Sequence, residues 1–295
     1  MKPVAVIAHT KKTIGGGLGD LRRLLDEHEI TDPMWFEISS SKKARKCARR
    51  ALKDGAELVI AWGGDGTVQR CVDALAGTGV TLAVIPAGTA NLFATNVGIP
   101  IDLEGAVKVA AEGQVSHVDV GVANDEHFGV MAGVGFDVTM IDAADRSAKK
   151  HFGRAAYVWT GVQAARREAI KMRVEVDGEQ WFSGKATCLL IGNVPNVIGG
   201  LTVFPSASLE SGTLEVGVVT ADGLVEWGRV LTKVVRKHPD ASPFVKMTSG
   251  RSITLKMKGK HRYELDGGTR DAVKRLEFAV KTEALRVMVG QEAAS

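Results

Sequence analysis

Cysteine is scarce in this sequence. Cys47, Cys71 and Cys188 are the only three, and none forms a CxxC pair, which excludes a disulfide framework and a zinc site and fits a reducing compartment. No apolar run approaches the roughly 18 to 20 residues that a membrane-spanning helix needs. The apolar stretch Val4 to Ala8 is too brief for a signal-peptide core. The expected address is cytoplasmic, with any membrane contact made peripherally at the inner face. Aromatic residues are only 5% of the chain and do not interleave with its basic clusters, so nucleic-acid binding through stacking is not expected. The sequence also lacks GxxxxGK[ST], a GxGxxG opening a βαβ unit, the HRD and DFG pair of protein kinases, and GxSxG. Its seven histidines are scattered without metal-ligand spacing.

What is present is an ordinary globular composition with many glycines: 45% hydrophobic, 24% charged and 34 Gly in 295 residues. That length allows about two domains, each large enough for its own core. Lys and Arg outnumber Asp and Glu by 38 to 34, a mild excess that suits an anionic partner without demanding one.

The first part of the chain alternates short apolar runs with helical spacing. Val4 to Ala8, Met34 to Ile38, Leu58 to Trp62 and Leu82 to Ile85 read as strands covered on both faces. Leu18–Leu25, Ala44–Leu52 and Val68–Leu75 carry apolar residues at helical intervals. This rhythm predicts an α/β domain with a parallel sheet, whose ligands bind beyond the carboxyl ends of the strands. After about Val122 the pattern turns to strands: Met172 to Val176 before Asp177-Gly178, Ala186 to Ile191, Leu214 to Val219, Ile253 to Met257 and Leu285 to Val289. Helical patterns interrupt them at Gly153–Arg167 and Leu224–Lys237. The expected domains are 1–122, α/β, and 123–295, β-rich, with the last strand free to return to the first domain.

Two loops at strand ends carry the chemistry. Leu58 to Trp62 runs into Gly63-Gly64-Asp65-Gly66-Thr67 and then a helix. Glycines at such a turn let backbone N–H groups approach an anion, and the helix N-terminus favours phosphate. Asp65 is out of place beside bare phosphate unless it acts through magnesium or its water, although the same pentapeptide also reads as a turn capped by aspartate. Leu82 to Ile85 runs into Pro86-Ala-Gly-Thr-Ala-Asn91, where Gly88 permits a tight turn and Thr89 and Asn91 suit either helix capping or nucleotide contact.

Together with Gly133-Val-Gly-Phe-Asp137 and Tyr263-Glu-Leu-Asp266-Gly267, these segments resemble the diacylglycerol kinase catalytic family of soluble lipid kinases, which is related to sphingosine and ceramide kinases. The resemblance implies a phosphofructokinase-like α/β domain, a β-sandwich-like second domain and an active site between them. It implies transfer of the γ-phosphoryl group of ATP, with Mg2+, to the hydroxyl of a membrane lipid such as diacylglycerol, as in phospholipid biosynthesis. Gly63, Gly64, Gly66, Thr67, Gly88, Thr89 and Asn91 would then hold the nucleotide, Asp65 would organise magnesium through water, and Asp266 would be the general base. On its own, Asp266-Gly267 reads as a type I′ hairpin turn.

The chain departs from the family pattern at several places. Gly268 stands where an acid usually follows Asp-Gly. Ser211 replaces an aspartate that would support a structural magnesium ion, leaving Glu210 as the substitute ligand, and Ala8-His9 replaces Asn-Pro. A nucleotide- or lipid-binding homologue without turnover, or a kinase of a soluble substrate like the NAD kinases, are the alternative readings. Residues 42 to 53 carry seven cations and no acid, and read either as a solvated helix or as a contact with an anionic membrane surface. Lys149, Lys150 and Arg154 beside Phe152 form a second such patch.

Overall fold

A computed structural model of the chain describes residues 3–135, 168–198 and 201–290. The expected helix Gly153–Arg167, the patch around Lys149, Lys150, Phe152 and Arg154, and Phe136 and Asp137 of the Gly133 element lie outside the described residues. The chain divides into two units, Met1–Val120 with Thr282–Ser295, and Gly121–Lys281.

The first unit contains β1 (Val4–His9), α1 (Leu18–Glu27), β2 (Met34–Ile38), a short 3-10 turn Ser41–Lys43, α2 (Ala44–Lys53), β3 (Leu58–Gly63), α3 (Asp65–Leu75), β4 (Thr81–Pro86), α4 (Leu92–Asn96) and α5 (Leu103–Glu112). Its strands run parallel in the order β4-β3-β1-β2. All six residues of β4, and every residue of β3 after Leu58, are buried, as strands covered on both faces must be. Pairing is in register, with Val6 opposite Ile60 and Ala61 opposite Val84. The helices α1 and α2 each turn one stripe inward, Leu21, Leu24 and Leu25 on α1, and Ala44, Ala48 and Ala51 on α2. The connection from β1 leads to β2 on one side, and the next strand, β3, lies on the other. The carboxyl ends of β1 and β3 are therefore the switch point where such sheets bind ligands.

The helix start expected at Thr89 and Asn91 is α4, with Asn91 at its N-cap position, whereas the sequence pattern did not point to α5. The start of α5 carried a signal nonetheless, since the Asp102 Oδ1 accepts the Gly105 N–H at 2.7 Å, an N-cap that offsets the modest apolar stripe behind it.

The second unit is built of antiparallel strands. They are the end of β5 (Gln114–Ala123), β6 (Glu126–Phe128), β7 (Met131–Val134), β8 (Ile170–Val176), β9 (Glu179–Ala186), β10 (Cys188–Gly192), β11 (Asn196–Ile198), β12 (Leu201–Thr202), β13 (Leu214–Val219), β14 (Val245–Gly250), β15 (Ser252–Leu265) and most of β16 (Gly268–Val289), with helix α6 (Gly223–Val235) between β13 and β14. The path β14-β13-β10-β7-β15-β16 is antiparallel throughout, and the β8–β9 hairpin adds to β15. Phe128, Met172, Val174, Leu189, Ile191, Val216, Leu255, Leu276 and Phe278 form part of its core.

Three expected strands change their limits. The run Ala186 to Ile191 is split at Thr187, whose N–H and hydroxyl both bond to the Val219 carbonyl, at 2.9 and 3.0 Å. Ile253 to Met257 is one stretch of the longer β15, and Leu285 to Val289 is only the end of the 22-residue β16. The remaining parts of both are rich in exposed charged side chains, so they show no apolar run. The end of β16 pairs parallel with β4 in the first unit, Val287 opposite Leu82. Among the described residues, no helix is long and apolar enough to cross a membrane.

Candidate functional site

The two glycine loops of the first unit touch backbone to backbone. A Cβ built on Gly88 would stand 2.5 Å from the Gly64 Cα and 2.7 Å from the Asn91 Oδ1, and one built on Gly64 would stand 3.0 Å from the Gly88 Cα. Only glycine permits this approach. The Ala87 N–H continues the contact by donating to the Gly63 carbonyl at 2.8 Å. Gly63 is equally constrained, because a Cβ there would lie 2.5 Å from the Cβ of the buried Thr67. Gly66, by contrast, is exposed, and a Cβ on it would meet only the Ser41 side chain at ordinary distance, 3.5 Å from Oγ.

Asn91 shapes its loop with both ends of its amide. Its Oδ1 accepts the Gly88 N–H at 2.8 Å, its Nδ2 donates to the Gly88 carbonyl at 3.2 Å, and its own backbone is left-handed, at φ 50°. Thr89 is exposed on the same loop. Asn91 thus acts as a staple, while Thr89 presents its hydroxyl outward.

Asp65 joins the loops. It opens α3, and its Oδ1 accepts the Phe93 N–H of α4 at 3.4 Å. Burial pushes its carboxyl above the ordinary range, against the opposing pull of the N–H groups at Phe93, Leu92 and Asn91. Aspartate is a cap here, as one reading of the sequence allowed, but of the helix after the second loop rather than of its own.

The neighbouring strand ends complete this rim. His9 closes β1, and burial, reinforced by the nearby Lys12, lowers its proton affinity. Its neutral ring accepts the Lys11 N–H at Nδ1, 3.3 Å away. The Trp62 indole, at the end of β3, donates to the Lys12 carbonyl at 3.3 Å and so holds the loop after β1. The Ser41 hydroxyl, from the loop after β2, stands beside Gly66. Ser41 was missed by sequence reasoning, although a Ser-Ser-Ser run immediately after a parallel strand is a readable signal.

In the second unit, Asp266 and Gly267 are the two central residues of the β15–β16 hairpin, with φ of 45° and 77° and Leu265 paired to Gly268. This is the geometry a type I′ turn requires. The buried Asp266 carboxylate accepts three backbone N–H groups, Val130 and Met131 on Oδ1, both at 2.9 Å, and Gly129 on Oδ2 at 2.8 Å. Asp177, in the Asp-Gly turn of the β8–β9 hairpin, uses the same device: its Oδ1 accepts the Arg251 and Ser252 N–H groups at 2.9 and 2.8 Å.

Next to the turn, Arg270 grips it. Its Nη1 donates to the Gly268 carbonyl at 2.6 Å and would lie 2.6 Å from a Cβ on Gly268. Its Nε and Nη2 form a two-pronged pair with Glu126 at 2.7 and 2.5 Å. Glycine at 268 is therefore matched to the guanidinium that fills the space a side chain would take. Neither Arg270 nor Glu126 was apparent from sequence. Glu210 is exposed, and the Ser211 hydroxyl is spent on the Ser208 and Thr213 carbonyls at 3.0 and 3.1 Å. Among the described residues, no group of three or more His, Cys, Asp or Glu side chains is placed to hold a metal ion.

Two family models account for nearly the whole chain. The diacylglycerol kinase catalytic domain matches residues 3–123, and the YegS C-terminal NAD kinase beta sandwich-like domain matches residues 129–289. The chain belongs to the diacylglycerol kinase and YegS-like lipid kinase family. Among the relatives of this chain, the Cronobacter sakazakii protein named probable lipid kinase YegS-like is 32% identical over 82% of the chain and 83% of its own length. A diacylglycerol kinase of Mycobacterium tuberculosis is 26% identical over 83% of the chain and 81% of its own. An uncharacterized Synechocystis protein is 30% identical over 85% of the chain, which spans 63% of that longer relative. The crystal structure of a diacylglycerol kinase from Bacillus anthracis shares the fold, with a TM-score of 0.80 at 23% identity over 99% of both chains. An NAD kinase from Archaeoglobus fulgidus in complex with ATP shares it more distantly, with a TM-score of 0.55 at 13% identity over 99% of the chain and 95% of its own. The expected architecture, a parallel-sheet α/β unit and a β-rich unit, is the one observed. Both glycine loops and Asp65 fall in the first matched segment and Asp266 in the second.

Proposed function

We propose that this chain transfers the γ-phosphoryl group of ATP to the hydroxyl of a membrane lipid alcohol, with diacylglycerol the first acceptor to test. The observation that supports this best is the backbone contact between Gly64 and Gly88 at the ends of adjacent parallel strands, which sets the second loop against the N-terminus of the 11-residue α3, where Gly66 is exposed. A phosphate chain is the ligand suited to such a surface. When bound there, magnesium ATP supplies the electrophilic phosphoryl group.

The donor chemistry fits that group. Magnesium takes one or two protein carboxylates and fills its remaining positions with phosphate oxygens and water. Asp65 would organise that ion through a bound water, and the cation would supply counter-charge to a carboxyl that burial disfavours as an anion. Gly64, Gly66, Gly88 and Thr67 form the cradle, Asn91 holds its second loop closed, and Thr89 offers a hydroxyl. Asp266 receives the proton of the lipid hydroxyl as the new P–O bond forms and the bond to the nucleotide breaks.

The test presents the purified chain and radiolabelled magnesium ATP with diacylglycerol, ceramide and a sphingoid base in micelles, and with NAD and fructose 6-phosphate in solution. A labelled lipid, lost in Asp65→Asn, is expected. Label on NAD alone would replace the lipid acceptor by a soluble one, and nucleotide binding without any labelled product would make the chain a binding homologue.

A further inference from the structure

The helix α2 and the turn before it separate their residues sharply by chemistry. Ala44, Ala48 and Ala51 are buried, whereas Lys42, Lys43, Lys46, Arg49, Arg50 and Lys53 are all exposed. The exposed set recurs at intervals of three and four residues, so the cations form one continuous stripe along the helix. Two other contacts draw charge away from it: Arg45 Nε lies 2.7 Å from the fully buried carboxylate of Asp73, and Arg50 Nε bonds to Asp54 at 2.6 Å. Lys42, Lys43, Lys46, Arg49 and Lys53 form no ion pair among the described residues.

This arrangement opposes the helix that carries it. Like charges three and four residues apart repel, and Lys42, Lys43, Arg45 and Lys46 crowd the positive end of the helix dipole, where the first turn holds no acid. A chain selected for stability alone would place acids there. Lys42, Lys43, Lys46 and Arg49, which no ion pair compensates among the described residues, mark a surface whose counter-charge comes from outside.

Two features choose the partner. The stripe exposes no aromatic side chain on which a nucleobase could stack and no large apolar side chain that could insert into a bilayer, so it fits a flat, diffuse negative surface. It also begins at the nucleotide rim, because Ser41, the residue before Lys42, is the one whose hydroxyl stands beside Gly66. We propose that the α2 stripe docks on an anionic bilayer, holding the phosphate loop at the lipid surface.

The experiment is cosedimentation of the full chain with phosphatidylcholine vesicles and with vesicles doped with phosphatidylglycerol, at low and high salt. Turnover is not read, so its failure leaves the kinase reading intact. Binding is expected only to the doped vesicles, and it should fade as salt shortens the range of the field. Lys46→Gln, Arg49→Gln and Lys53→Gln combined should weaken it about a hundredfold, at about fivefold per cation. The scattered triple Lys108→Gln, Arg236→Gln and Lys281→Gln, equal in charge, should change it by less than about threefold. The stripe variant should melt within a few degrees of the parent, since the repulsion it loses is offset by the favourable charge of Lys53 in the last turn of the helix. Equal weakening by the two triples would reduce the effect to net charge and overturn the proposal. Binding of duplex DNA or RNA without vesicle binding would transfer the stripe to a nucleic acid and overturn it as well.

Discussion

Alanine substitutions at the glycines of the two loops separate what shapes the site from what touches the nucleotide. In Gly88→Ala, the new Cβ meets the Gly64 Cα at 2.5 Å, where ordinary contact begins at 3.4 Å, so two backbones must part by roughly 1 Å. Neither partner is the flexible end of a side chain, and the third neighbour, the Asn91 Oδ1, is held in the hydrogen bond that closes the loop. Overpacking of this kind costs about 1–3 kcal/mol. If that strain is relieved by opening the cradle, nucleotide affinity falls between about fivefold and about a hundredfold. Gly64→Ala, with its nearest contact at 3.0 Å, should do the same more weakly. Gly66→Ala is the discriminating case, because its Cβ finds ordinary contact and the fold should keep its melting temperature while magnesium ATP binding weakens. Gly228→Ala in α6 has nothing within 4 Å and should stabilise by about 0.5–1 kcal/mol through helix propensity alone. Calorimetric titration with magnesium ATP and thermal melts of the four variants supply the comparison. Parent-like binding and melting in Gly88→Ala would refute the contact between the loops, and with it the site.

Two further outcomes follow from the carboxylates. Because burial raises the Asp65 carboxyl above its unfolded value, ionisation disfavours the folded state, and stability is lost as pH rises through the folded-state value. Asp65→Asn keeps an acceptor for the Phe93 N–H without the charge, so its melting temperature should exceed the parent's at neutral pH and converge with it in acid, even as phosphoryl transfer disappears. Melts between acidic and neutral pH test this, and a variant less stable at neutral pH would contradict it. Asp266→Asn sets an amide N–H2 against one of three backbone donors and should cost about 1–3 kcal/mol in denaturant unfolding, so a loss of activity there needs a folding control. Arg270→Ala removes the guanidinium from the Glu126 carboxylate, of which only 17% is exposed, at about 3 kcal/mol, and adding Glu126→Ala should recover part of that loss in a double-mutant cycle.

The sequence disclosed those parts of the molecule in which one stretch of chain settles its own environment. Leu58 to Trp62 and Leu82 to Ile85 announce buried parallel strands because both faces are covered, and the glycines after them announce a close approach. The partner in that approach was readable only as a second loop of the same kind. Asp266 and Gly267 were readable as a turn, but the three N–H groups that the carboxylate holds lie 135 to 137 positions away and carry no side-chain signal. Ser41, Glu126 and Arg270 escaped for a related reason, since each matters through a neighbour that only folding supplies. Most of β16 was invisible because charged residues such as Asp271, Lys274, Arg275 and Lys281 cover its surface and mask the inward positions Leu276 and Phe278.

The return of β16 to the first unit also governs the order in which the protein can form. The fully buried β4 is the edge of the β4-β3-β1-β2 set until residues 286 and 287 arrive beside it, while Gly77 and Gly79 wait for Ala284 and Arg286. During synthesis the ribosome must therefore deliver the whole β-rich unit before the parallel sheet of the first unit can close. Until then an unpaired apolar edge is open to wrong partners, a hazard that favours chaperone engagement of the nascent chain and makes trimming of those late residues more damaging than their distance from the glycine loops suggests.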